Sequence, residues 1–325
     1  MSAAGEGPSD RLRSRAEESR RKLWILLEAD RWLVTAGLVA VVFLVLLVVG
    51  IGHPSPKATI RATDTIGTLF QALLTATITG VTLVLTLNQL VLSQELGAVG
   101  DQRERMEGAM AFRDDVAEAI DAPVSPARPA QFLRALVQVA GQRAQAVRDG
   151  VRDADDDLDA AIADLTDSLI ENANRVSSGL DDARFGRFEV ISAALNFNYS
   201  WKIFAARRIR AEYGEQLDGD VTTALDDLID LLELFGPARE HFKTLYFQWD
   251  LINLSRTILV AAIPALLVSA GMILFFDPGA AVEAAGLDLY LVTVVAAVTV
   301  SVLPFLILLA YVLRIATVTK HTLSI

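Results

Sequence analysis

The chain of 325 residues contains no cysteine. That excludes disulfides, thiolate metal sites and cysteine nucleophiles together. Histidine is scarce: His53, His241 and His321 are the three present, and none has a second histidine at metal-ligand spacing. There is no phosphate-binding glycine loop and no nucleophile elbow. On these absences the chain carries no catalytic residue, no metal site and no cofactor site, and it reads as a non-enzyme.

The most informative absence is local. Four windows hold no Asp, Glu, Lys or Arg at all: Trp32–Gly52, Thr65–Gln94, Thr257–Phe276 and Leu289–Leu313. Each supplies the ~20 apolar residues that a helix needs to cross ~30 Å of hydrocarbon. The first is longer than the apolar core of a signal peptide and lacks a small-residue cleavage site. This segregation resolves an apparent conflict between a net charge of −11 and a hydrophobic content of 53%. A single water-soluble globule is excluded.

Charge placement orients the windows. Arg11, Arg13, Arg15, Arg20, Arg21, Lys22 and Arg31 precede the first, Arg256 directly precedes the third, and Arg314 and Lys320 follow the fourth. The short loop 53–64 holds only two basic residues, and loop 277–288 holds none. The positive-inside rule then places both termini and the long middle segment in the cytoplasm. Trp24, Trp32, Tyr246, Trp249, Tyr290 and Tyr311 lie where interface aromatics are expected. The expected fold is all-α, a four-transmembrane-helix protein of the cell membrane. Its parts are a cytoplasmic N-terminal helix (1–31), a hairpin of spans one and two (32–94), an acidic helical cytoplasmic domain (95–256), a hairpin of spans three and four (257–313) and a cytoplasmic tail (314–325).

Nearly all the acidity sits in residues 95–256, with 18 basic and 30 acidic side chains. So negative a segment does not suit nucleic acid. The chain has 25 Asp to 15 Glu and 24 Arg to 5 Lys. Such a surface resembles those of proteins from salt-accumulating archaea, which makes the composition halophilic in style. The run Asp153, Asp155, Asp157 looks calcium-like, but an EF-hand would need Gly and Glu where Leu158 and Asp164 stand. It reads as a solvated helix face.

The same segment reads as helices throughout. Span two should continue into Glu95–Ala119, and Pro123, Pro126 and Pro129 then exclude a helix. Apolar positions Leu133, Leu136, Ala140, Ala144, Val147 and Val151 step by three or four. A near-heptad seam follows at Leu158, Ile162, Leu165, Leu169, Ala173, Val176 and Leu180, compatible with a core stripe or an inter-subunit coiled coil. Gly179 and Gly186 bracket a turn. Phe185, Phe188, Phe197, Tyr199, Trp201 and Phe204 form one aromatic-rich helix serving as core. Asp220 is expected to cap a helix that Gly236-Pro237 ends, and a last helix runs from Ala238 into span three.

No ionisable residue lies within any window, which counts against proton-coupled transporters, pumps and voltage sensors. One intramembrane pattern stands out. In span two, Thr68, Gln71, Thr75, Thr79, Thr82, Thr86, Gln89 and Ser93 step by three or four and fall within an arc of about 80°. Asp64 shares that azimuth at the mouth. Such a stripe either lines water in a pore or bonds to a neighbouring helix. Four spans rarely enclose a pore alone, so a channel requires a ring of identical subunits with span two innermost.

Two spans, a helical cytoplasmic segment of ~150 residues and two more spans, with both termini inside, make a layout that resembles bestrophin-like channels. The resemblance implies that span two lines the pore and extends inward. Thr and Gln stand here in place of the family's pore-neck aromatics, and the Asp153–Asp167 run does not match its calcium clasp. The leading expectation is a homo-oligomeric ion channel whose partners are the bilayer, further copies of itself and inorganic ions. The alternative is a membrane-anchored scaffold or signalling protein acting through the Leu158–Leu180 seam.

Overall fold

The computed structural model describes residues 24–25, 29–52, 65–95, 97–151, 155–181, 188–276, 283–284 and 287–322. Nine α-helices are described: α1 (Arg31–Gly52), α2 (Thr65–Glu95), α3 (Val99–Ala119), α4 (Pro129–Gly150), α5 (Asp156–Asp181), α6 (Phe188–Leu195), α7 (Tyr199–Tyr213), α8 (Gly219–Phe275) and α9 (Leu289–Thr322). Two two-residue strands, β1 (Glu283–Ala284) and β2 (Leu287–Asp288), pair antiparallel between α8 and α9. Among the described residues the architecture is therefore all-α apart from this hairpin. Four of its helices are long and apolar enough to span a membrane: α1, α2 over Thr65–Leu90, α8, and α9 over Leu289–Val318. A helix closes its own backbone hydrogen bonds, which hydrocarbon demands.

The chain divides into two compact units, one built mainly from Gly97–Trp249 and the other from Trp24–Leu96 with Asp250–Val318. In the first unit, α4 and α5 form an antiparallel pair. Arg134 near the start of α4 bonds to Asp181 at the end of α5, while Arg148 reaches Asp159 at 3.1 Å from the opposite ends. Between them Gly141 permits close approach, since a Cβ there would lie 3.3 Å from the Cβ of Ala173. The apolar periodicities face inward: Leu133, Leu136, Ala140, Ala144 and Val147 are buried on α4, and all seven seam residues from Leu158 to Leu180 are buried on α5. The seam is a core stripe of one chain, so it offers no surface for an inter-subunit coiled coil.

Several boundaries differ from the sequence expectation. Span two does not run on into Ala119: Gly97 and Ala98 interrupt it, with Ala98 extended at φ −61°, ψ 153°. The aromatic segment is two helices, α6 and α7, broken at Asn196–Asn198. Phe197 sits in that break and is buried edge-on against Phe235 at 4.7 Å, whereas Phe204 is 52% exposed and does not belong to the core. Gly179 lies inside α5, and Phe185 and Gly186 fall outside the described residues.

Gly236-Pro237 fails to end a helix. α8 begins at Gly219, with Asp220 in its first turn, and runs unbroken for 57 residues, about 86 Å at 1.5 Å per residue. Packing overrides the local signal. Phe235 and Ala238 are buried on either side, and a Cβ at Gly236 would lie 3.0 Å from the Tyr199 hydroxyl and 3.1–3.2 Å from its ring. The glycine is the contact point for that ring, and Arg239 covers the same ring at 4.8 Å.

Candidate functional site

In the second unit, α2 has two faces of different character. Ile66, Phe70, Thr77 and Val84 are buried. Ile66 and Phe70 join Met272, Tyr290, Val294 and Ala297 in one cluster, and Val84 joins Leu254, Ile258, Ala261, Ile307 and Tyr311 in another. Gly80 admits Phe305, whose ring would stand 3.1 Å from a Cβ at that position. From Ile66 to Val84 one face of α2 is thus packed against α8 and α9, which are themselves joined by a buried Ser269–Ser301 hydrogen bond of 2.9 Å.

The polar stripe occupies the other face. Thr68, Gln71, Thr75, Thr79, Thr82, Thr86, Gln89 and Ser93 are all exposed on the protomer. At about 100° per residue their mean direction lies roughly opposite that of the four buried residues. None of them packs into the core with which α2 contacts its own chain. Asp64 lies outside the described residues.

Four of their six hydroxyls turn inward to the helix backbone. Thr79 donates to the Thr75 carbonyl at 2.9 Å, Thr82 to Ile78 at 2.9 Å, Thr86 to Thr82 at 3.0 Å and Ser93 to Leu90 at 2.7 Å. Back-bonding of this kind satisfies the donor without a partner helix. Gln71 and Gln89 differ, because an amide left without a hydrogen bond in hydrocarbon costs about 4–8 kcal/mol. They stand 18 residues apart, about 27 Å along the axis, so polarity reaches nearly across a ~30 Å core.

A second polar group gathers at the ends of the spans. Arg31 at the start of α1 donates to the Ala310 carbonyl of α9 at 2.9 Å, and Arg314 of α9 donates to the Ala29 carbonyl at 2.7 Å. Both arginines are buried, as is Asp250 on α8, ahead of the charge-free window that opens at Thr257. The two arginines tie the same pair of chain segments in opposite directions. Burial pushes the Asp250 carboxyl up to about 6, and the positive charge of Arg31 opposes that rise.

Among the described residues, no group of three or more His, Cys, Asp or Glu is placed to hold a metal ion. Asp155 caps α5, its Oδ1 accepting the Leu158 N–H at 2.8 Å. Asp156, Asp157 and Asp159 follow in the first turn, where the helix dipole favours negative charge. Asp153 lies outside the described residues. His241 rests on the Phe242 ring at 5.4 Å.

A model of a family of unknown function, DUF7972, matches residues 1–325. The chain belongs to that family. No curated protein matches it, and no solved structure does.

In this DUF7972 chain the stripe was legible as a periodicity, whereas the Arg31–Asp250–Arg314 group was not. Arg31 and Arg314 counted only as markers of the inner side, and Asp250 only toward the acidic total. Arg31 and Arg314 adjoin a charge-free window, and Asp250 lies seven residues ahead of one. A charge at such an edge is either a solvated anchor or a buried tie, and composition gives both the same signal.

Proposed function

We propose that the chain is a homo-oligomeric membrane pore for ions, with α2 innermost and its Thr and Gln face lining the conduit. The observation that carries this reading is the exposure of all eight stripe residues opposite the packed face of α2. A face with two glutamines is unfavourable against lipid, and water or a further copy of the chain relieves it. The layout expected from the sequence, which resembles that of bestrophin-like channels, points the same way. So does the positive-inside rule, which puts both termini and Gly97–Trp249 in the cytoplasm.

An independent observation supports self-association. On the protomer, residues 99–111 of α3 are exposed on every side. A helical stretch of ~13 residues with no packing is marginal by itself. Val99, Met106 and Met110 share one of its faces and are 83%, 68% and 50% exposed, as expected of a surface that a neighbouring subunit covers. The scaffold alternative loses its motivating surface, because the Leu158–Leu180 seam is buried within its own chain.

The test is salt flux from liposomes holding the purified full chain, comparing wild type with Thr79→Leu and Thr82→Leu. Flux in wild type that falls at least several-fold in the variants is expected. No flux in wild type, or equal flux in all three, sinks the pore reading. Cross-linking in the same membranes should give a closed ladder of subunits.

A further inference from the structure

We infer that the conduit favours monovalent cations over anions, because from Thr79 to Ser93 its lining presents oxygen lone pairs and withholds its hydroxyl protons. The inference rests on the pore reading and adds the class of ion that passes. A hydroxyl has one proton to donate and two lone pairs to offer. In Thr79, Thr82, Thr86 and Ser93 that proton is engaged by a backbone carbonyl three or four residues earlier, at 2.7–3.0 Å. What each residue turns outward is an acceptor, the group that replaces water around a cation. An anion needs the opposite, namely N–H or O–H donors. The four hydroxyls cover about 21 Å of the helix axis, so the preference extends along most of the span.

Two further features act in the same direction. α2 contains no Lys, Arg or His from Thr65 to Glu95, so no fixed positive charge on it attracts an anion. Its C-terminal end is the negative end of the helix dipole, where the last carbonyls have no partner within the helix. A ring of such helices multiplies that potential by the number of subunits. Gln71 and Gln89 can donate through their amides, and Thr68 and Thr75 lie toward the N-terminal end, outside the back-bonded stretch from Thr79 to Ser93.

The experiment uses full-length protein in planar bilayers under a tenfold KCl gradient, for which an ideally selective conduit reverses at about 59 mV. Reversal on the potassium side of zero is expected. A Thr82→Val/Thr86→Val double variant, which keeps shape and loses two acceptors, should show a cation-to-anion permeability ratio lower by several-fold. Reversal on the chloride side overturns the inference and leaves the pore reading standing. A cation preference unchanged in the double variant overturns the role given to the hydroxyls. Absence of any current from protein shown to be inserted and oligomeric overturns the pore reading, and this inference with it.

Discussion

Replacing Asp250 by Asn should stabilise the protein near neutral pH and do progressively less as the pH falls. The carboxyl is buried beside α1 and α9 and ionises only at about 6, against an ordinary 3.8, because desolvation outweighs the attraction of Arg31. The folded state therefore holds this proton more tightly than the unfolded chain does. That contribution to stability is complete below about pH 3.8 and is lost as pH rises through about 6. The full span is about 3 kcal/mol at ~1.4 kcal/mol per pH unit. About 1.4 kcal/mol of it, a tenfold change in the unfolding equilibrium, falls between pH 5 and pH 8.

Asparagine keeps the shape of the neutral acid and cannot ionise, so its stability should lack this component. Denaturant unfolding of both proteins in the same detergent, at pH 5 and pH 8, isolates the term, because every other carboxylate is common to both. The expected outcome is a gap in favour of Asp250→Asn that widens by about 1.4 kcal/mol from pH 5 to pH 8. A gap independent of pH would show that Asp250 is solvated in the membrane-embedded protein. A gap that widens toward acid would mean that Arg31 outweighs desolvation, and the reasoning would fail.

Other outcomes follow from the packing. Gly236→Ala should destabilise, because overpacking against Tyr199 at 3.0–3.2 Å costs about 1–3 kcal/mol against a helix-propensity gain of about 1. Gly108→Ala, with nothing within 4 Å, should instead stabilise by about 0.5–1 kcal/mol, and thermal melts of the two compare them directly. Leu169→Ala, at a fully buried seam position, should cost about 2–5 kcal/mol; a surface-like loss under 1 would contradict the intrachain core. Ser301→Ala removes the bond to Ser269 and should weaken the folded protein by about 0.6 kcal/mol, measured by unfolding in mixed micelles.

Helical periodicity carried over well wherever a face is buried within the chain, as on α4 and α5, because burial of a 3.6-residue stripe is what selects such sequences. Local punctuation carried over less well. Gly236-Pro237 reads as a stop, but the Tyr199 ring needs the glycine and the flanking burial of Phe235 and Ala238 holds the helix through the proline. The heptad-like seam was ambiguous for a different reason, since a stripe facing α4 and a stripe facing another subunit have the same spacing. The stripe on α2 was visible in full, but its direction was not.

By itself the sequence marked four segments as helices long and apolar enough to cross a membrane. Four charge-free windows of 20 or more residues leave few other solutions when every backbone polar group must be satisfied in hydrocarbon, and the acidic excess had to lie between them. Which side of each helix meets which neighbour was decided only by the tertiary structure. Contact depends on where elements distant in sequence come to rest, and that placed the Thr and Gln face of α2 outward, the Leu158–Leu180 seam inward, and Arg31, Asp250 and Arg314 in one buried group.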